Sequence, residues 1–212
     1  IANRVIAGGD ITRDEAKQLF IVQGGELYDL FYAANKVRRH FHSNKVTFCS
    51  ILPTKFGNCS EDCKFCAQSA HYDADVDAYP MMDGETVEKA CASARDNGAS
   101  AFGIVNSGRG PNKKEWPKIM EAIESMKKVD GITHCATLGT LNESQARDLK
   151  AAGIRRINHN LETSKEFYPK VVTTHSWQDR VDTVKIAQKA GLEACCGCIF
   201  GMGESVDDRV SL

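Results

Sequence analysis

No stretch of the chain approaches the roughly 18 consecutive apolar residues needed to span a bilayer, which excludes a transmembrane helix. Lys/Arg-rich runs are also missing, and the formal charge is only −1 over 212 residues. A nucleic-acid or anionic-membrane footprint is excluded on that basis. Ile1-Ala2-Asn3-Arg4 is not a secretory leader, and the absence of an initiating Met points to a trimmed start. Low-complexity segments are absent. No G-x-G-x-x-G follows the first predicted strand, which argues against a dinucleotide-binding sheet. These absences leave a soluble, cytoplasmic protein long enough for one well-packed domain, or two.

Cysteine is abundant, with nine residues falling in tight groups at 59/63/66 and 195/196/198. A secreted disulfide scaffold would be short and loop-rich. Grouped cysteines among long amphipathic segments point instead to metal or redox chemistry in a reducing compartment.

A structural rhythm runs through the rest. Helix-like stretches end in Gly and pass into β-rich runs at Asn97-Gly98-Ala99, Asp130-Gly131-Ile132, Ala152-Gly153-Ile154 and Ala190-Gly191-Leu192. Gly suits the left-handed residue that closes a helix. The pattern predicts strands over Val46–Leu52, Ala101–Val105, Thr133–Leu138, Arg155–Leu161 and Glu193–Phe200. It predicts helices over Glu85–Asn97, Trp116–Lys128, Asn142–Ala152 and Gln178–Ala190, preceded by Thr12–Phe20 and Leu27–Val37. Thr12-x-x-Glu15 is a capping box. Alternating strands and helices imply parallel βαβ units and a TIM-like (β/α)8 barrel. Residues 1–44 form an N-terminal helical segment and 45–212 the barrel. Only five strands are visible, and Ser205 begins a helix just before the chain stops, so about three further βα units are expected to complete the barrel.

The segment Cys59-Ser60-Glu61-Asp62-Cys63-Lys64-Phe65-Cys66 follows the first strand, at the barrel mouth where such folds place their chemistry. Thiolates at C-x3-C-x2-C can hold a [4Fe–4S] cubane at three corners and leave the fourth iron open. That open iron can chelate S-adenosylmethionine, whose reductive cleavage gives a 5′-deoxyadenosyl radical. A structural zinc site is the competing reading, but no second C-x2-C pair or H-x3-H lies nearby. Asn158, Asn160 and Glu162 fall on one face of a predicted strand. Such a polar stripe inside a barrel needs either a ligand or buried water.

The sequence Asn58-Cys59-Ser60-Glu61-Asp62-Cys63-Lys64-Phe65-Cys66-Ala67-Gln68-Ser69 resembles the signature of radical S-adenosylmethionine enzymes in its biotin synthase form. The likeness extends through Thr137–Leu141, Asn158–Ser164, Thr173-Thr174 and Gly201-Met202-Gly203-Glu204, and so covers most of the chain from about Ser50 onward. The resemblance implies a (β/α)8 barrel and insertion of sulfur into dethiobiotin by radical hydrogen abstraction, a sulfurtransferase activity. It gives Phe65, Asn160, Glu162 and Arg180 to S-adenosylmethionine, and Asn158 and Asn160 to dethiobiotin. Glu162 stands where many members have Asp. No side chain is assigned as a catalytic acid or base.

The family also carries an auxiliary cluster, commonly [2Fe–2S] on three cysteines and an arginine. Cys135 and Cys195 match two of these ligands, while Gly103 occupies the position of the third. A rearranged auxiliary cluster, [2Fe–2S] or larger, is therefore expected on Cys135, Cys195 and Cys198, with a bulge or strand end at Gly197 to bring the last two together. Cys49 and Cys91 read as core residues, and Trp116 and Trp177 as packing between helices and barrel. Flavodoxin or ferredoxin as electron donor and a homodimer are implied by the resemblance alone. Hydrogenase-maturation and methylornithine-synthase types share the first cluster but are not expected to carry Cys135 and Cys195. A non-catalytic metal-binding module is a third reading.

Overall fold

The computed structural model describes residues 1–212 and divides into two compact units. The first comprises Ile1–Val46 and Gly203–Leu212, the second Thr47–Met202.

In the first unit, the short helix α1 (Ala2–Ile6) is followed by α2 (Arg13–Phe20) and α3 (Glu26–His42). The Thr12 hydroxyl accepts from the Glu15 amide, and Glu15 reaches back to the Thr12 amide, so the capping box forms as read. α3 runs five residues beyond the predicted Val37, because Arg38–His42 carry no breaker.

The second unit holds β1 (Cys49–Lys55), α4 (Gly84–Asp96), β2 (Ala101–Asn106), α5 (Trp116–Lys127), β3 (Thr133–Thr137) and α6 (Glu143–Ala151). β4 (Arg156–Asn158), a 3-10 turn at Tyr168–Lys170, α7 (Trp177–Lys189) and β5 (Glu193–Cys195) follow, and α8 (Val206–Ser211) returns the chain to the first unit. The strands are parallel and lie in the order β1-β2-β3-β4-β5. Each strand adds beside its predecessor, as in a barrel, with no reversal about a central strand. The sheet is open, a partial barrel.

Gly98, Gly131, Gly153 and Gly191 take φ of +87°, +81°, +96° and +79°, so each stop signal marks a left-handed residue between a helix and the next strand. Val87 and Cys91 of α4, Ile119, Ile123 and Met126 of α5 and Leu149 of α6 pack on Phe102, Ile104, Ala136 and Ile157 of the sheet. Trp116 packs against this core from its edge. By alternation the opposite sheet face carries Cys49, Gly103, Cys135, Thr137, Arg156, Asn158 and Cys195.

Several boundaries differ from expectation. β1 begins at Cys49 because pairing starts with Cys49 opposite Ala101, leaving Val46 and Phe48 exposed. β5 ends at Cys195 rather than Phe200. Beyond it, the amides of Leu161 and Glu162 both turn to the Gly197 carbonyl, at 3.1 and 3.2 Å, and regular pairing stops. β4 likewise ends at Asn158, not Leu161. Cys91 is fully buried as expected, but Cys49 is exposed, since its side of β1 faces the open concave side and not the helices.

Candidate cluster and cosubstrate site

The loop from β1 to α4 carries Cys59, Cys63 and Cys66. Backbone bonds fold it on itself: the Cys59 amide donates to Gln68 (2.9 Å), Ala70 to Cys59 (2.8 Å) and Cys66 to Cys63 (3.0 Å). A carboxylate ties it to the connection between β4 and α7. Asp62 accepts the amides of Thr173 (2.8 Å) and Thr174 (3.1 Å) as well as both hydroxyls. Desolvation opposes the charge, but these donors prevail and hold the Asp62 carboxyl well below the usual carboxylate range.

All three cysteines line one open cleft of about 230 Å³. Burial pushes the Cys63 thiol up to about 11, helped by its neighbours Cys66 and Cys59 and opposed by Arg180. Metal binding there therefore releases protons. No set of three or more His, Cys, Asp or Glu side chains is gathered closely enough for a single metal ion.

Phe65, Asn158, His159, Asn160, Glu162 and Arg180 line the same cleft, so every residue assigned above to cosubstrate or substrate meets the three thiols around one space. Asn160 and Glu162 reach it from beyond the end of β4, and His159 lines it too, so simple strand alternation is not what gathers them. Glu162 adopts φ +68°, a left-handed conformation costly for a side chain of this kind and concentrated at functional sites. Its Oε2, Asn158 Oδ1 and His159 Nε2 are buried without a hydrogen-bond partner. Native structures rarely leave such atoms bare, so a polar ligand fits this wall. Burial raises the Glu162 carboxyl above its ordinary value against the pull of Arg180, and draws His159 down to about 3.

A buried chain of hydrogen bonds crosses the site, and Arg180 is its one member that the sequence pointed to. Arg180 Nε donates to Tyr168 Oη (2.7 Å), and Arg180 Nη1 donates to the Asn160 carbonyl (2.8 Å). Tyr168 Oη meets His175 Nε2 at 2.8 Å, and His175 Nδ1 meets Glu61 Oε2 at 2.5 Å. Burial, followed by the nearby Arg180 charge, lowers His175 against the pull of Glu61, which favours the neutral ring at pH 7. The Tyr168 hydroxyl then donates to Nε2, and Nδ1 carries the proton given to Glu61. The cluster loop and the Asn160–Glu162 wall are thus coupled through one polar network. Because no spacing rule joins residues 61, 168, 175 and 180, only the Arg180 signal was available beforehand.

Gly139, with φ +75°, lets the loops after β2 and β3 touch: a Cβ there would lie 2.2 Å from the Arg109 carbonyl oxygen. This explains the Gly within Thr137–Leu141, and it brings Arg109 to the cleft as a second cation.

Of the auxiliary-cluster cysteines, Cys135 is buried on β3 and Cys195 ends β5, both on the concave face. Cys198 lies past the strand, bridging Glu162. Met202 packs with Phe167, Val171 and Val172, beside Phe65, Cys66 and Trp177. Trp177 therefore packs beneath the cluster loop, its Nε1 donating to the Thr163 carbonyl at 3.0 Å.

Residues 54–212 match the model of the radical SAM superfamily. The chain belongs to that superfamily, and membership implies a [4Fe–4S] cluster and S-adenosylmethionine. The three thiols and the bare polar atoms that share their cleft suit these groups. Within the superfamily the sequence is similar to biotin synthases. It is 47% identical over its whole length to biotin synthase of Citrifermentans bemidjiense and 43% identical to that of Geotalea daltonii, spanning 65% of each relative. The fold matches methylornithine synthase (TM-score 0.89, 21% identity, 99% of this chain and 62% of that one). It also matches a maturase of the [FeFe]-hydrogenase (TM-score 0.83, 16% identity, 99% and 48%).

Proposed function

We propose that this chain is the cluster-bearing part of an enzyme of the biotin synthase type, which inserts sulfur into dethiobiotin. The observation that carries the reading is the meeting of Cys59, Cys63 and Cys66 with the unpartnered Asn158 Oδ1 and Glu162 Oε2 around one cleft, with Cys135 and Cys195 on the same concave face.

Cys59, Cys63 and Cys66 would hold a [4Fe–4S] cluster, which would supply the electron for reductive cleavage of S-adenosylmethionine. The remaining work belongs to the protein. Glu162, whose second oxygen lacks a partner, accepts from the ribose hydroxyls. Phe65 offers an apolar wall, and Arg180 and Asn160 set the polar end of the cosubstrate. Asn158 and Asn160 orient the ureido ring of dethiobiotin, an amide-like group matched by carboxamide side chains. The buried Tyr168–His175–Glu61 chain holds Arg180 in position. Cys135 and Cys195 would hold an auxiliary cluster, [2Fe–2S] or larger, whose chemistry there would be to supply sulfur, with Cys198 as the sequence's candidate for a third ligand.

The methylornithine synthase and the hydrogenase maturase that share this fold are only 16–21% identical to this chain, a likeness that speaks for the barrel alone. The cysteines on β3 and β5 favour sulfur insertion over those chemistries. Flavodoxin or ferredoxin as reductant, a homodimer and a cytoplasmic setting complete the proposal. No helix is long and apolar enough to cross a membrane.

A single turnover of the full-length protein with dethiobiotin, reductant and S-adenosylmethionine, read by mass spectrometry, tests the proposal. Biotin or a monothiolated intermediate is expected. Cleavage of S-adenosylmethionine without either product would assign the chain to another radical enzyme.

A further inference from the structure

The concave face holds one cysteine too many for the sequence-based assignment. Cys49 was expected in the core, yet it is exposed on the same face as Cys135 and Cys195. It also lies within electrostatic reach of Cys135, as do Cys195 and Arg156.

Strand register gives the stronger argument. Cys49 pairs with Ala101, which pairs with Thr133, and Cys135 stands two residues further along β3. Cys135 pairs with Arg156, which pairs with Glu193, and Cys195 stands two residues further along β5. An eight-stranded barrel of shear 8 staggers neighbouring strands by about one residue, or about two between alternate strands. Inward side chains at one height come from alternate strands. Cys49, Cys135 and Cys195 on β1, β3 and β5 satisfy both conditions and so form one layer.

The ground between them is clear. Gly103 on β2 lies beside Cys135 in the register, and an added Cβ there would come 3.4 Å from the Cys135 Cβ. The missing side chain leaves room between Cys49 and Cys135. Cys198 belongs elsewhere. It is three residues beyond Cys195, about 10 Å farther along an extended chain, and it bridges Glu162 at the cleft.

The geometry points to Cys49, in place of Cys198, as the third thiolate of the auxiliary iron–sulfur centre, in one layer with Cys135 and Cys195. This rests on the proposal above that an auxiliary cluster exists. Alternate strands lie about 10 Å apart at their Cα atoms, and inward side chains close part of that span. One metal ion with bonds of about 2.3 Å holds thiolates at most about 4.6 Å apart. The layer therefore takes a polynuclear cluster.

The test uses the full-length protein with Cys59, Cys63 and Cys66 all changed to Ala, so that only auxiliary iron remains. It is reconstituted anaerobically with ⁵⁷Fe and sulfide and read by iron content and Mössbauer spectroscopy. Adding Cys49→Ser should remove at least half of the bound iron or replace its spectrum, whereas Cys198→Ser should leave both unchanged. The same Cys49→Ser change in the otherwise intact protein should spare the first cluster's reduced-state resonance, which separates ligand loss from misfolding. An unchanged spectrum with Cys49→Ser, or loss of iron with Cys198→Ser, overturns the assignment of Cys49 and leaves the auxiliary cluster standing. A triple variant that binds no iron at all, with the far-ultraviolet dichroism of the parent, overturns both.

Discussion

Replacing Arg180 by Met removes a guanidinium that is only 12% exposed and leaves Glu162, at 9%, without its cation. Two charge-assisted bonds go with it, to Tyr168 Oη at 2.7 Å and to the Asn160 carbonyl at 2.8 Å. Breaking one side of a buried pair typically costs about 3–5 kcal/mol, much of it from the stranded charge. A domain's total stability is about 5–15 kcal/mol, so the change is severe. The Arg180–Glu162 contact itself is long, at 3.5 Å, and the Glu162 carboxyl is already raised by burial. Glu162→Gln alone should therefore cost less, about 1 kcal/mol, as for a single neutralised hydrogen bond. Combined with Arg180→Met, it removes the stranded charge and should restore about 1–2 kcal/mol, a coupling normal for residues in one network. Urea unfolding of the apo protein, with the slope compared between variants, measures all four corners of the cycle. If Arg180→Met costs under about 1 kcal/mol, or if the two changes add independently, the buried network is not holding the wall as argued.

Three further outcomes are expected. Gly139→Ala forces a Cβ against the Arg109 carbonyl at a left-handed φ, and thermal unfolding should register a loss of about 2 kcal/mol or more. Asp62→Ala frees the amides of Thr173 and Thr174, worth about 1–3 kcal/mol, and iron incorporation at limiting iron should fall, while Asp62→Asn should fall less. In α2 the Thr12 amide and the Arg4 guanidinium hold the Glu15 carboxyl down to about 2. Because this group's folded value is depressed, its contribution is present above its ordinary value of 4.5 and is lost as pH falls toward 2. Resonance titration of Glu15 should give a midpoint near 2, moving toward 4.5 in Arg4→Met; a midpoint unmoved by that change refutes the pairing.

Local chemistry made much of the fold legible. The glycine stops, the capping box at Thr12 and the apolar spacing of α4 and α5 each depend on residues within one or two turns, and all formed as read. The cysteine loop was legible for the same reason. Strand ends were harder, because β1 and β5 are bounded by what pairs with them, and no residue near Leu52 or Phe200 reveals that. The exposed position of Cys49 was misread because apolar periodicity cannot distinguish the helix-covered face of a strand from the concave one. The Glu61–His175–Tyr168–Arg180 chain joins parts of the sequence more than a hundred residues apart, and only the folded backbone brings them together.

The carboxylate of Asp62 clasps backbone amides from a connection more than a hundred residues away. The loop that would hold the first cluster is thus also fastened by protein bonds, none of which runs through a thiol. Loss of a cluster would cut the thiolate ties and leave this clasp, so the loop would stay tethered to the connection before α7.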